Sequence, residues 1–321
     1  MIVGYAAPLH RAWARARGML LTGASLETWF VLGFTAWLAR LWDNAGLGSS
    51  WDRDLVNIKD RDWRVTNLDE LRHLDFFGHE LGGLGLGILA GLGVLALLLA
   101  VLLTWVSSRG EFCFLDNVVH RRARVSEPWR RFAKQGDSLF LWRLAFQVVA
   151  GAFALALILP GLLLVIGAIT TESLRGLGIA GAVLLAMLGI VLAVAAALIS
   201  FWTDQFVVPV MYRDGSGVQA AWRRTLPLVR EHIDQAVLFA LFWLLLTLVV
   251  GAAITVLGLL TCCIGWLVLA IPYLGTVIML PIYVTARALG PEFLAQYGEE
   301  WRLWPRDGQS PPDDAGPHTT A

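Results

Sequence analysis

Apolar residues on this chain gather into long runs, and the polar stretches between them are short and built around arginine and tryptophan. Residues 81–106, 139–169, 176–206 and 235–260 each exceed the roughly 20 apolar residues needed to cross about 30 Å of hydrocarbon. Residues 26–41 form a shorter run. Trp29, Trp37 and Trp42 suit headgroup belts at its two ends, so it is expected to span by local thinning of the bilayer. Residues 265–286 are apolar but interrupted by Pro272 and Pro281. The pattern predicts an all-α polytopic membrane bundle of about six transmembrane helices, arranged as three hairpins.

Each hairpin is preceded by a variant of one polar unit. Pro128-Trp129-Arg130-Arg131-Phe132 recurs in outline as Ala221-Trp222-Arg223-Arg224 and more faintly as Ala12-Trp13-Ala14-Arg15. The unit reads as an internal repeat, a basic interfacial helix carrying tryptophan. Residues 1–25 are thus a cytoplasmic interfacial helix, 107–138 a cytoplasmic basic loop and 207–234 a cytoplasmic amphipathic helix. In the last, Val218, Ala221, Trp222, Leu226, Val229 and Ile233 share one face. Residues 42–80 form an external acidic loop with one helix. Residues 287–304 are an amphipathic C-terminal segment, and 305–321, rich in Pro, Gly and Asp, are expected to be disordered.

Composition narrows the class. Of 321 residues 57% are hydrophobic and 16% charged, against about 25% charged in soluble domains, which is more apolar surface than a water-soluble fold could hide. Net charge is zero, so only the placement of the 25 Lys and Arg informs. Seventeen lie in the stretches on the side of the termini and six on the other, with Arg40 and Arg143 at span borders. The positive-inside rule puts both termini and all three Trp-Arg units in the cytoplasm, in a cell (inner) membrane. The expected partners are membrane lipids of an anionic cytoplasmic leaflet, met by Trp13, Trp129, Arg130, Arg131, Trp222, Arg223 and Arg224. No nucleic-acid partner is expected, because seven bases beside two spans are ordinary for a cytoplasmic loop.

Candidate chemistry is sparse. Cys113, Cys262 and Cys263 lack the paired spacing of a zinc site, and Asp69, His73, His79 and Glu80 read as solvated surface, so no metal and no cofactor is expected. Arg143 at the start of the third span and Asp204 near the end of the fourth fall on one side of a tight hairpin, where they form a possible pair. Gly83, Gly87 and Gly91 recur at four-residue intervals as a helix-packing face. Pro160, Pro272 and Pro281 are possible hinges. Asp116, His120, Arg121 and Arg122 make the one cluster able to meet a lipid phosphate. No catalytic residue is assigned, since no Walker loop, His-Glu-x-x-His or Gly-x-Ser-x-Gly occurs.

Four stretches carry a family resemblance: Ala12 to Ala39, Phe114 to Phe140, Asp204 to Trp222, and Pro272 to Gly298. They resemble uncharacterised prokaryotic multi-pass membrane proteins, distantly similar to the membrane domain found with some glycerophosphoryl diester phosphodiesterases. The resemblance implies the topology and no established activity. The catalytic barrel of those enzymes has no counterpart, and their His-Arg-Gly opening is missing: His10-Arg11 is followed by Ala12, and His120-Arg121 by Arg122. The expected function is therefore non-catalytic, a scaffold, assembly or lipid-organising role. The alternative is a transporter or channel-like handler of a lipid or small solute that works without a buried ionisable residue.

Overall fold

The computed structural model describes residues 4–21, 25–41, 82–171, 175–261 and 264–304. The expectations placed on the external acidic loop, including its Asp69, His73, His79 and Glu80, and on the tail 305–321 lie outside the described residues. Within them, every regular element is helical.

The chain begins with α1 (Ala6–Leu20) and α2 (Leu26–Ala39), the second capped by Ser25, whose hydroxyl accepts from the Thr28 amide at 3.2 Å. Next comes α3 (Gly82–His120), whose 39 residues make it about 58 Å long, nearly twice the hydrocarbon thickness. Residues 107–138 are accordingly not a loop. Nothing between Val106 and His120 stops a helix, and Ser108 bonds back to the Thr104 carbonyl at 2.7 Å, so the polar part continues as a solid extension of the span. It ends at Arg121, whose φ is +50°. A single short helix, α4 (Ser126–Arg131), then leads into α5 (Ala133–Thr170), which runs unbroken through Pro160.

The hairpin partner of α5 is α6 (Arg175–Trp202), continued by a π-turn, Thr203–Val207, into α7 (Val208–Asp214). Pro209 explains the turn: it has no N–H for the Gln205 carbonyl, and the helix widens there. After α8 (Val218–Glu231) and α9 (Ile233–Leu260), the last apolar stretch is three short helices, α10 (Ile264–Ala270), α11 (Pro272–Ile278) and α12 (Leu280–Leu294). Pro272 and Pro281 stand in the first turns of α11 and α12, where a missing N–H costs nothing.

Four helical stretches are long and apolar enough to cross a membrane: Ala90–His120, Ala133–Thr170, Arg175–Asp214 and Ile233–Leu260. At 14 residues, about 21 Å, α2 is not among them. In their most apolar windows these four stretches are 11%, 6%, 0% and 6% buried, so their outer parts are bare shafts. The packing glycines expected on α3 illustrate this. A Cβ at Gly87 or Gly91 would meet no described atom within 4 Å, and the close approach falls instead at Gly110, against the backbone of Leu38 and Ala39. The reason is the shortness of α2, whose contacts with α3 include Ser107, Gly110 and Asn117, at the polar end.

The protein's core lies where the shafts converge. One apolar cluster joins α1, α2, α12 and the base of α9 around Leu32, Phe206, Phe239, Leu289 and Phe293. A second joins α3, α5, α7 and α8 around Phe112, Leu115, Leu139, Met211 and Val218. The apolar face of α8 is spent here: Val218, Ala221 and Val229 are buried against protein, while Ile233 is exposed. Helix α1 does the same with Ala12, Ala16 and Leu20. We refer to this packed body as the cap.

Candidate functional site

Three charged clusters close the cap. The first joins four elements. Glu111 on α3 pairs with Arg287 on α12, and Arg143 on α5 donates to Asp204 of the π-turn at 2.7 Å. The two pairs touch, since Arg143 is 3.9 Å from Glu111 and Arg287 donates to the Asp204 carbonyl at 3.3 Å. The Arg287 side chain is 7% exposed, and its Nε and Nη2 have no protein acceptor. Guanidinium and carboxylate so enclosed hold each other in place: removing either strands the other in a low-dielectric interior. Beside them Gly290 allows α12 to lie against the π-turn, with a Cβ there falling 2.3 Å from the Gln205 carbonyl oxygen.

The second cluster ties off the end of α3. Asp116 is fully buried, and its oxygens are occupied: the Tyr212 hydroxyl donates to Oδ1 at 2.7 Å and Arg122 to Oδ2 at 2.9 Å. His120 Nδ1 lies 3.2 Å from Oδ1. Asn117 stabilises the reversal that follows, accepting from the Arg124 amide and donating to the Arg124 carbonyl at 3.0 and 2.9 Å. On the surface, the hydrogen bond from Arg124 holds the Glu127 carboxyl below its ordinary range. In the third cluster Arg11 and Arg15 of α1 each donate at 2.7 Å to Glu292 of α12, which is 4% exposed, and Arg15 stacks 4.2 Å above Trp304.

Residues 6–296, from the start of α1 past the end of α12, match one family model. The chain belongs to the Family of unknown function (DUF7544). No curated protein and no solved structure matches it. These comparisons give no support to the likeness to glycerophosphoryl diester phosphodiesterases.

The structure brings Arg143 and Asp204 together. It sets the Trp-Arg units at separate places on the cap. Trp129 stands edge-on to Trp105, 6.0 Å away, with Arg109 between 4.6 and 5.7 Å from the two rings. Trp222 lies 5.9 Å from Trp142, and Arg224 bonds Asp214 at 2.7 Å. Arg130, Arg131 and Arg223 are exposed, and Trp13 projects outward from α1. Asp116, His120 and Arg122 converge as the sequence suggested, whereas Arg121 turns out to solvent. Among the described residues no group of three or more His, Cys, Asp or Glu is placed to hold a metal ion.

Glu111, Arg287 and Glu292 escaped the sequence reading. Their signal is present in outline, because Glu111 is followed by Phe-Cys-Phe-Leu, and Glu292 sits in Ala-Leu-Gly-Pro-Glu-Phe-Leu. A lone charge in an apolar stretch demands a partner.

Proposed function

We propose that this DUF7544 protein is a multi-pass protein of the cytoplasmic membrane, with both termini inside, that serves as a non-catalytic scaffold or lipid-organising component. The observation that carries this reading is the contrast in burial: the shafts are left bare by protein, while the cap spends its buried charges on one another. Bare shafts of this length require lipid as solvent. A cap whose carboxylates are committed to holding helices together is built for rigidity. Four shafts cross fully, while α2 packs against the polar end of α3, at Ser107 and Gly110, and the broken α10–α12 stretch follows the fourth shaft back to the cap. The excess of Lys and Arg on the cap side supports a cytoplasmic cap.

Single-cysteine labelling in intact cells tests the arrangement. Asp60→Cys should react from outside, and Arg130→Cys and Arg223→Cys only after permeabilisation. The reverse pattern sinks the orientation, and recovery of the protein without detergent sinks the membrane reading.

One observation favours a second reading. The last apolar stretch is discontinuous, with non-helical residues at Ile271 and Met279, and broken helices line substrate paths in transporters. Uptake of a lipid or small solute by reconstituted vesicles, abolished by a cross-link between α11 and α2, would move the assignment there.

A further inference from the structure

The three Trp-Arg units look alike in sequence and are used differently. In the first, both arginines are tied to a carboxylate of the cap: Arg11 and Arg15 share the buried Glu292, and Arg15 is stacked on Trp304. In the second and third, the tryptophan faces inward and Arg130, Arg131 and Arg223 face out, while Arg224 pairs with Asp214. Trp129 packs on Trp105, which stands at the last turn of the apolar part of α3; Trp222 packs on Trp142, at the first turn of the apolar part of α5. Each of these Trp-Trp contacts sits where a shaft passes from apolar to polar sequence, the height at which tryptophan anchors to headgroups. The arginines that follow are thereby fixed at the same height. Arg130 and Arg223 are exposed and have no polar partner among the described residues; Arg131, also exposed, lies beside the Phe132 ring at 5.5 Å. The nearest acid in the second unit, Glu127, is engaged by Arg124 and Arg122.

We propose that Arg130, Arg131 and Arg223 form the protein's binding surface for anionic phospholipid headgroups, and that the first unit has been diverted to an internal structural role. The proposal rests on the membrane reading above and names the lipid class and the residues that would select it. Three cations held at headgroup height by rigid ring contacts, with no carboxylate paired to them among the described residues, match phosphodiester anions in charge and position. Each contributes about fivefold to the preference for an anionic over a neutral lipid.

The full-length protein, reconstituted in phosphatidylcholine nanodiscs with and without phosphatidylglycerol, provides the test. Lipid retained after gentle extraction is counted by native mass spectrometry. The wild type should retain phosphatidylglycerol preferentially. Arg130→Gln, Arg131→Gln and Arg223→Gln together should lower that preference on the order of 100-fold while leaving the melting temperature unchanged. Arg11→Gln with Arg15→Gln should do the opposite, lowering the melting temperature and keeping the preference. Undiminished phosphatidylglycerol retention in the triple variant overturns the proposal, as does its loss in the Arg11 and Arg15 variant. A protein that needs no nanodisc to stay in solution would instead overturn the membrane reading, so the two failures are separable.

Discussion

Gly91 and Gly110 lie on the same helix and have opposite surroundings. At Gly91 a methyl group would meet no described atom within 4 Å; at Gly110 it would fall 2.7 Å from the Leu38 carbonyl carbon and 2.8 Å from the Ala39 nitrogen. The first belongs to a shaft, the second to the cap. Along a shaft, apolar side chains gain little by meeting one another, because lipid tails are as apolar as leucine. In the cap, exclusion of water and lipid makes every charge depend on a specific partner, and those partners dictate how the helices dock. Specificity therefore concentrates at the polar ends of helices whose apolar lengths are nearly interchangeable.

The largest effect that would break this comparison is expected at the central pair. Arg287→Ala should cost about 3–5 kcal/mol in detergent, since it takes from the enclosed Glu111 its nearest cation, and Arg287→Met with Glu111→Gln should recover most of the loss. Thermal melts of the three proteins check it; an Arg287→Ala protein as stable as wild type would show the pair to be idle.

A charge on a shaft should come next. Leu155 on α5 is 59% exposed, and Leu155→Arg there should raise the apparent cost of membrane insertion by about 2.5–3.5 kcal/mol, read from the inserted fraction in a translocation assay. On a water-exposed surface the same change would cost nothing, so an unaffected variant would contradict the assignment of lipid as solvent.

Tyr212→Phe removes one donor from the buried Asp116 and should cost about 1.5–3 kcal/mol of melting stability. Smaller still is the glycine contrast. Gly290→Ala would push a methyl group into the Gln205 carbonyl oxygen and should cost about 1–3 kcal/mol, net of any gain in helix propensity, whereas Gly91→Ala should be neutral or slightly stabilising. Equal melting temperatures for the two alanine variants would erase the distinction between shaft and cap.

Much of the architecture was legible in one dimension. Four apolar runs of spanning length became four helices of spanning length, and the interruption at Pro272 and Pro281 became helix starts. The pairing of Arg143 with Asp204 could also be anticipated, because a six-residue connection returns α6 along α5 and brings their far ends together. The basic loop was misread because its charges were weighed as solvated, when a helix had already begun upstream and nothing in Ser107 to His120 ends it. The amphipathic face of α8 was real, but a periodic stripe reports only that a face is covered. Here the cover is protein: Val218, Ala221 and Val229 pack into the cap.

By itself the sequence determined the apolar character and the lengths of the shafts, since transfer of apolar side chains from water depends on composition and run length alone. Only the tertiary structure decided which charge meets which. Arg11 and Arg15 find Glu292 across 281 and 277 positions, and Glu111 finds Arg287 across 176. Such pairs are set by how helices dock in three dimensions: the arginine two places after the tryptophan is exposed in the second unit, pairs with Asp214 in the third, and in the first meets the buried Glu292.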